Sequence, residues 1–233
     1  MRGVSVFIPI YNEEKVLKRN VSVVVDELKK YNLPFEVVIV DDNSKDSSFE
    51  VAKELSKNKA IKIIKYENGP SRRENLAKSF ETAEYDIIAF MDSDLAVDLS
   101  YLKWLIEEIK DYDLVTGSRY LKESKIKRTL FRMVVSFLYN RFIRFYFNSK
   151  IKDHQCGFKS FKKEIILDLV KDLGYDYQNK RGWFWDTELL IRAQKKGYKI
   201  LEFPVNWVHG AKSTFNIKRE IKMIPYLLKL KFK

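Results

Sequence analysis

Cysteine, histidine and long apolar runs are all scarce in this sequence of 233 residues. Because Cys156 is the only cysteine, no disulfide can form within the chain, and a reducing compartment is expected. In the most apolar helix candidate, the longest uncharged stretch is residues 133–140, far short of the ~20 residues that span a membrane. The first residues run directly into a strand pattern, unlike a signal peptide. We therefore expect no membrane span, and Cys156 as a buried packing residue.

A glycine-rich phosphate loop is also missing. The segment Tyr11-Asn12-Glu13 follows the first predicted strand, where a dinucleotide-binding enzyme would carry Gly-x-Gly-x-x-Gly. A nucleotidyltransferase would need a glycine-rich loop with Lys or Arg at the same place. The sequence therefore disfavours both classes.

Positive charge is in clear excess. The chain has 44 Lys and Arg against 32 Asp and Glu, which gives a net charge of +12 and a pI near 9.5. The excess is concentrated in residues 119–150 and 212–233. Such a balance indicates an anionic partner: nucleic acid, an anionic membrane surface or a phosphorylated substrate.

The first half alternates strands and helices. Apolar runs predict strands at Val4–Ile10, Phe35–Val40, Ile61–Tyr66, Ile87–Met91 and Leu114–Gly117. The segments between them predict helices over residues 12–31, 46–57, 71–83 and 100–110, the first with Asn12 as N-cap. This alternation predicts an α/β fold with a mostly parallel sheet and helices on both faces. Further elements are expected as helices at 128–147, 163–171 and 186–196 and a strand at 199–203.

Two carboxylates follow the fourth strand. The apolar run Ile87–Met91 ends in Asp92-Ser93-Asp94. Burying these charges would be costly, so we place them where the strand leaves the core, at the ligand crevice of an α/β sheet. There they would hold a divalent cation against a diphosphate, since hard cations take oxygen ligands from both. A simple polar turn is the alternative, because the motif is short.

The helix at 128–147 has seven aromatic residues and two contrasting faces. A wide apolar arc includes Phe131, Leu138 and Phe145, and a narrow stripe of Arg132, Ser136, Asn140 and Arg144 lies opposite. It is either an interfacial helix on a membrane surface or a core helix under the sheet. The Lys-rich tail 212–233, interrupted by Pro225, is likewise either interfacial or a solvated helix packed on the domain.

Several motifs occur together in one order. They are Val6–Glu14, Val38–Ser44, Asp92-Ser93-Asp94, Gly117–Tyr120, Gln155–Lys159 and Asp186–Leu189. As a set they resemble family 2 glycosyltransferases with the GT-A fold, and within them the dolichyl (polyprenyl) phosphate sugar synthases. The stretches Gln155–Lys159 and Trp183–Glu188 are most similar to the dolichyl-phosphate β-glucosyltransferase branch. The resemblance implies a catalytic domain over residues 1–211 and a basic amphipathic tail over 212–233.

The resemblance also implies roles for individual residues. The nucleotide sugar would be bound by Pro9, Tyr11, Glu13, Asp41, Asp92, Ser93 and Lys212. Asp92 and Asp94 would bind Mg²⁺ or Mn²⁺. The lipid phosphate would meet Arg119, Arg132, Ser136 and Asn140. Catalytic roles would fall to Asp92, Asp94, Arg119, Asp186 and Glu188. Around Lys212 the order His209-Gly210-Ala211-Lys212-Ser213 departs from the family's usual Gly-x-Ser-Lys.

The later acidic motif contains two carboxylates, Asp186 and Glu188. Asp186 and Glu188 are two residues apart, so on a helix they cannot both face one point. They would supply either a base or charges that stabilise a helix N-terminus. His154 and His209 are expected to be loop residues rather than catalytic, with His154, beside Asp153, the stronger catalytic candidate.

The implied reaction is inverting transfer of glucose from UDP-glucose to a polyprenyl or dolichyl phosphate. A phosphate monoester with a second pKa of ~6 is already ionised at neutral pH and needs no strong base. Guanidinium groups would position it through bidentate contacts. The enzyme would sit peripherally on the cytoplasmic face of a membrane. A dolichyl-phosphate mannose synthase using GDP-mannose and a family 2 transferase with a glycan hydroxyl acceptor remain open, whereas the acidic crevice argues against nucleic acid.

Overall fold

The computed structural model describes residues 3–71, 73–178, 181–182, 184–208 and 224–230. The strands are β1 Val4–Ile10, β2 Phe35–Asp41, β3 Ile61–Lys65, β4 Ile87–Met91, β5 Leu114–Ser118, β6 Lys125–Lys127, β7 Phe158–Lys162, β8 Ile200–Pro204 and β9 Asn206–Val208. The helices are α1 Glu14–Lys29, α2 Ser48–Leu55, α3 Glu74–Ser79, α4 Leu102–Glu108, α5 Leu130–Phe147, α6 Lys163–Leu173, α7 Phe184–Lys195 and α8 Ile224–Leu230. Short 3₁₀ turns at Phe80–Thr82 and Leu99–Tyr101 follow α3 and precede α4.

Seven strands form one sheet in the order β3-β2-β1-β4-β7-β5-β8. All neighbouring pairs are parallel except those of β7, which runs antiparallel between β4 and β5. Met91 at the end of β4 lies opposite Phe158 at the start of β7. The loop that precedes β7 therefore reaches the same sheet edge as the carboxyl ends of β1, β2, β4 and β5.

Helices cover both faces of the sheet, as the alternation of strands and helices predicts. In β1, Val4, Val6 and Ile8 point to a core completed by α1, α2 and α4, whereas Phe7 points to a second core completed by α3, α6 and α7. Strands buried on both faces read as continuous apolar runs, which is why β1, β2 and β4 could be located within a residue of their ends.

Helix α5 lies outside both of these cores, so the alternative of a core helix under the sheet does not hold. Arg132, Ser136 and Asn140 of its polar stripe turn inward, with Asn140 buried and Arg144 exposed, while much of its apolar arc faces solvent. Phe145 is 88% exposed and Leu130 76% exposed. Only one side of α5 is anchored apolarly, through Ile143, which joins a small cluster with Phe184 and Ile191 of α7 and Leu227 and Leu230 of α8. The described part of the tail, α8, is thus packed on the domain through Leu227 and Leu230, with Leu228 exposed.

One local prediction is wrong, and one strand was missed. Asn12 is not an N-cap: its φ of 58° is left-handed, its Oδ1 accepts from the Lys45 amide, and Glu13 occupies the N-cap position. Strand β7 was not predicted, because Phe-Lys-Ser-Phe-Lys lacks an apolar run. Lys159 in its centre is nevertheless fully buried, since an ion pair with Asp186 compensates its charge.

Candidate active site

Asp92 leaves β4 at the crevice edge of the sheet and is held on two sides. Its Oδ1 forms an ion pair with Arg73 Nη2 at 3.0 Å, and its amide donates to the Gly157 carbonyl at 3.1 Å. A side chain at position 157 has no room, because a Cβ there would lie 1.9 Å from Asp92 Oδ2. Arg73 therefore orients the Asp92 carboxylate beside Gly157, with nearly half of the side chain exposed to the crevice.

Asp94 is the more open of the two acids. It is exposed, and its Oδ1 accepts from the Ala96 amide at 3.1 Å. Although the carboxylate reaches solvent, desolvation by the surrounding crevice and the like charge of Asp92 raise its pKa to about 6. A divalent cation would relieve this repulsion, and two carboxylates suit Mg²⁺ or Mn²⁺. The described residues contain no group of three acidic, His or Cys ligands, so further ligands would come from a diphosphate or water.

The side chains expected around the nucleoside gather at the ends of β1 and β2. Asp41 is completely buried; its Oδ1 accepts from the Ser44 amide, whereas its Oδ2 has no hydrogen-bond partner among the described residues. A buried carboxylate oxygen without a donor is costly, so a ligand N–H or hydroxyl would satisfy it. Tyr11 is exposed nearby in sequence, and Pro9 and Glu13 are half-buried.

Ser93 and Lys212 are the remaining residues that were expected to bind the nucleotide sugar. Ser93 is buried, and its carbonyl accepts from Asn20 Nδ2 at 2.7 Å, which ties the acidic loop to α1. Lys212 lies outside the described residues, as do Ser213 and His209.

Arg73 is a site residue that the sequence reasoning missed. Its Nε pairs with Asp186 Oδ2 at 2.9 Å, so one guanidinium bridges Asp92 on the sheet edge and Asp186 on α7. Lys159 Nζ pairs with the other oxygen of Asp186 at 2.8 Å, and both cations lie about 5 Å from the Phe90 ring. Arg73 stands in a short polar segment, and nothing local in that segment indicates that it is buried.

This network determines the charge state of Asp186. Burial alone would raise the pKa of Asp186, but the charges and hydrogen bonds of Arg73 and Lys159 outweigh it and hold the pKa below its usual range. Asp186 is therefore a buried, ionised partner of two cations. Such a carboxylate is poorly suited to take a proton from a hydroxyl group.

Glu188 faces away from Asp186, as the two-residue spacing on a helix requires. It is fully buried and accepts from Arg192, and from the Tyr226 hydroxyl at 2.7 Å. Arg181 lies 3.5 Å away and also binds Glu74. Glu188 thus ties α8 and α3 to α7, behind the crevice.

Arg119 is engaged by a buried acid. Its Nε and Nη2 bind the two oxygens of Asp153 at 2.7 and 2.8 Å, and its amide binds the same carboxylate at 2.9 Å. The guanidinium charge outweighs the effect of burial and holds the pKa of Asp153 at about 2. Arg119 is therefore better described as the partner of Asp153 than as an open phosphate ligand.

The polar stripe of α5 faces the same region. Asn140 uses its Oδ1 for the backbone amide and Nδ1 of His154 and one N–H of its Nδ2 for the Ser136 carbonyl, so both ends of its amide have partners. Ser136 accepts from the Tyr120 hydroxyl at 2.5 Å. Arg132, one turn earlier, is half-buried on the same stripe. Of the four expected phosphate ligands, Arg119 and Asn140 are occupied within the protein.

His154 and Cys156 are structural. His154 is fully buried between Asn140 and Ser149, and burial lowers its pKa to about 4, so the ring is neutral at physiological pH. Burial raises the pKa of the Cys156 thiol to about 12. Both residues hold the loop before β7 against its neighbours, and the expected packing role of Cys156 is confirmed.

A mostly parallel sheet in which β7 runs antiparallel between β4 and β5 has the architecture of the GT-A fold. The structure superposes on glucosyl-3-phosphoglycerate synthase of Mycobacterium tuberculosis, crystallised with Mn²⁺ and UDP-glucose, with a TM-score of 0.70 at 18% identity over 99% of this chain and 79% of that chain. At that identity the likeness shows the fold alone.

The family follows from sequence. The model of glycosyl transferase family 2 matches residues 5–170. Glycosyltransferase AglD of Haloferax volcanii is 35% identical over 224 residues, and dolichyl-phosphate beta-glucosyltransferase ALG5D of Trichomonas vaginalis is 30% identical over 241 residues. These matches cover 94% and 97% of this chain but 35% and 72% of the relatives, so the chain spans about a third of AglD. The chain belongs to glycosyl transferase family 2.

Proposed function

We propose that the protein transfers glucose from UDP-glucose to a polyprenyl or dolichyl phosphate, with inversion at the anomeric carbon. One observation carries the acceptor assignment. Helix α5 turns Arg132, Ser136 and Asn140 of its polar stripe toward the rest of the domain and its aromatic arc to solvent. This arrangement suits an acceptor with an anionic head and an isoprenoid tail. The names of relatives such as the Trichomonas vaginalis dolichyl-phosphate beta-glucosyltransferase support the same acceptor.

On the donor side, the unpartnered Asp41 oxygen is available to accept a hydrogen bond from a nucleoside. The Asp92–Asp94 pair is available to bind a cation on the diphosphate. The solved fold relatives include complexes with Mn²⁺ or Mg²⁺ and UDP, which supports a divalent metal here. Such an ion would neutralise negative charge on the departing diphosphate. Arg73 would keep Asp92 oriented toward it.

On the acceptor side, the nucleophile is a phosphate oxygen that is already ionised at neutral pH. Its bond to the anomeric carbon forms as the bond from that carbon to the diphosphate oxygen breaks, and no proton has to be removed first. A glycan hydroxyl would need a base, yet Asp186 is held between Arg73 and Lys159. This favours a phosphate acceptor over a hydroxyl acceptor.

The solvent-facing arc of α5 would bring the enzyme to the membrane that holds its acceptor. Within the described ranges, none of the helices has the length and apolar character needed to cross a bilayer. Basic residues flank the aromatic arc, and the chain carries a net charge of +12. We infer peripheral binding to the cytoplasmic face, with aromatic side chains in the interface and Lys and Arg near anionic headgroups.

A donor panel tests the reaction. Incubating the protein with polyprenyl phosphate, Mn²⁺ and either UDP-glucose, UDP-N-acetylglucosamine or GDP-mannose is expected to give lipid-extractable sugar from UDP-glucose, with the α-linked donor converted to a β-linked product. GDP-mannose is included because a dolichol-phosphate mannosyltransferase of Pyrococcus furiosus is 33% identical over 220 residues. If only GDP-mannose gives a lipid product, the transferred sugar is mannose and not glucose. If product forms only on an added glycan, the acceptor is not a polyprenyl phosphate.

Vesicle flotation tests the membrane face. The Phe131→Ser/Phe145→Ser double variant removes two exposed rings of α5, 63% and 88% exposed in the free protein. Burying one Phe side chain contributes about 1.5–3 kcal/mol, so losing two is expected to lower partition into vesicles with anionic lipid by about 10²- to 10⁴-fold. Wild-type binding should also weaken at high salt.

The matched control is Val16→Ser/Val23→Ser, which removes two exposed apolar side chains from α1, on another part of the surface. This variant should float with vesicles as the wild type does. Equal flotation of the α5 variant and the wild type, or equal loss in both double variants, would argue against α5 as the membrane face.

A further inference from the structure

Arg128 has an incomplete set of partners. It stands two residues before α5, half-buried, with Nη1 donating to Ser136 Oγ at 3.1 Å and its guanidinium 5.1 Å from the centre of the Trp207 ring. Its Nε is buried and has no hydrogen-bond partner, and no acid in the described part of the chain forms an ion pair with it. A buried guanidinium N–H without an acceptor is costly and is normally satisfied.

The charges around Arg128 make the missing partner an anion. Arg119 lies nearby but already has Asp153 as its counterion, and Arg132 adds a second positive charge. Burial and the charges of Arg119 and Arg132 lower the pKa of Arg128. The charges of Arg119 and Arg132 make the surroundings of Arg128 positive, so an anion is the favoured acceptor for its unpartnered Nε.

Trp207 connects this positive group to the acidic crevice. Its ring lies beside Arg128 and also lines the cleft formed with Asp92, Asp94 and Gly157. An anion held by Arg128 would thus sit one indole ring away from the acids assigned to the donor diphosphate. That is where the nucleophile of the proposed transfer has to lie.

We propose that Arg128 binds the phosphate monoester of the acceptor, as a contact beyond those that the resemblance implies for Arg119 and Arg132. This inference rests on the proposed function. A planar guanidinium binds phosphate through paired N–H groups, and a phosphate oxygen beside Arg128 would give its Nε an acceptor. Ser136 would orient Arg128 through the hydrogen bond to Nη1.

The test measures acceptor and donor binding separately, with farnesyl phosphate as a soluble probe. Arg128→Gln is expected to weaken farnesyl phosphate binding in calorimetry, and to raise the acceptor KM, by about 10- to 100-fold. UDP binding in the presence of Mn²⁺ should stay within about twofold of wild type, because removing one acceptor contact leaves the donor site intact. Arg128→Lys should restore part of the affinity, which shows that the variants are folded and that charge at this position matters.

Lys127→Gln is the matched control, since it removes one exposed positive charge from the neighbouring position on β6. It should leave farnesyl phosphate binding near the wild-type value. Unchanged binding in Arg128→Gln, equal losses in the Lys127 and Arg128 variants, or absence of farnesyl phosphate binding by the wild type would each overturn the proposal. The proposal would also be overturned if Arg128→Gln weakened the binding of inorganic phosphate but not that of farnesyl phosphate, because this would indicate a site for free phosphate.

The outcomes also separate this inference from the proposed function. If wild-type protein makes lipid-linked sugar and Arg128→Gln does so with an unchanged acceptor KM, the function stands and the Arg128 assignment falls. If no donor yields lipid product but farnesyl phosphate binds and Arg128→Gln abolishes its binding, the phosphate site stands and the transfer reaction falls.

Discussion

Replacing Asp94 by Asn is expected to reduce sugar transfer by about 10²- to 10³-fold without a measurable change in melting temperature. The loss follows from removing one of two carboxylates that would hold the cation on the diphosphate, an electrostatic contribution of several kcal/mol to the transition state. The fold should tolerate the change, because the side chain is exposed and accepts only one hydrogen bond, from the Ala96 amide, in the described structure. The Asn carbonyl oxygen can still accept that bond.

Two measurements check this expectation: turnover at saturating UDP-glucose and polyprenyl phosphate, and Mn²⁺ affinity from the electron paramagnetic resonance signal in the presence of UDP. Asp98→Asn is the matched control, since Asp98 is an exposed acid on the same loop whose carboxylate caps the following 3₁₀ turn at the Ser100 amide. It should lose little activity and Mn²⁺ affinity. Wild-type turnover and Mn²⁺ affinity in the Asp94 variant would refute the metal role.

How far the sequence predicts the fold depends on how each element is buried. Strand β4 was predicted to the residue, because Ile87–Met91 is buried on both faces and its end is marked by Asp92. Strand β7 could not be found in this way. Its central Lys159 is buried only because Asp186, 27 residues away in the chain, supplies the opposite charge. A pattern of local hydrophobicity contains no information about such a partner.

Helix α5 shows a second limit. Its two faces were identified from the sequence, but the ordinary rule turns the apolar face inward. The structure does the reverse, because Asn140 and Ser136 on the polar stripe are bonded to His154 and Tyr120. Which face of an amphipathic helix is buried depends on partners elsewhere in the chain, and these became visible only in three dimensions.

The candidate site shows the same difference between features set by the local sequence and features set by distant partners. The acids at the strand ends were predicted because chain direction alone brings such ends together. The surroundings of the arginines could not be predicted in this way, because they depend on pairing with residues distant in the chain. Arg119 is neutralised by Asp153, 34 residues away, while Arg73 joins the acidic motif to α7.

Replacing Arg119 by Met should destabilise the protein by about 3–5 kcal/mol at pH 7, because it leaves the Asp153 carboxylate buried without a counterion. The matched control is Lys162→Met, which breaks a partly exposed pair with Asp113 of nearly the same length, 2.8 Å. That pair is expected to contribute no more than about 1 kcal/mol. Both losses are measured by denaturant unfolding of each variant against wild type.

The pH dependence of this loss distinguishes an orphaned charge from a packing defect. In wild type the pKa of Asp153 is about 2, below its value of ~3.9 in unfolded chains, so its stabilising contribution is present above pH ~4 and disappears as the pH falls toward 2. Without Arg119, burial raises the pKa of Asp153 instead, and protonation removes the penalty in acid. The deficit of Arg119→Met should therefore shrink as the pH is lowered from 7 to 4, and Arg119→Met/Asp153→Leu should recover much of the lost stability at pH 7. A deficit that stays constant with pH, or a double variant no more stable than the single one, would mean that packing rather than the buried ion pair sets the stability of this loop.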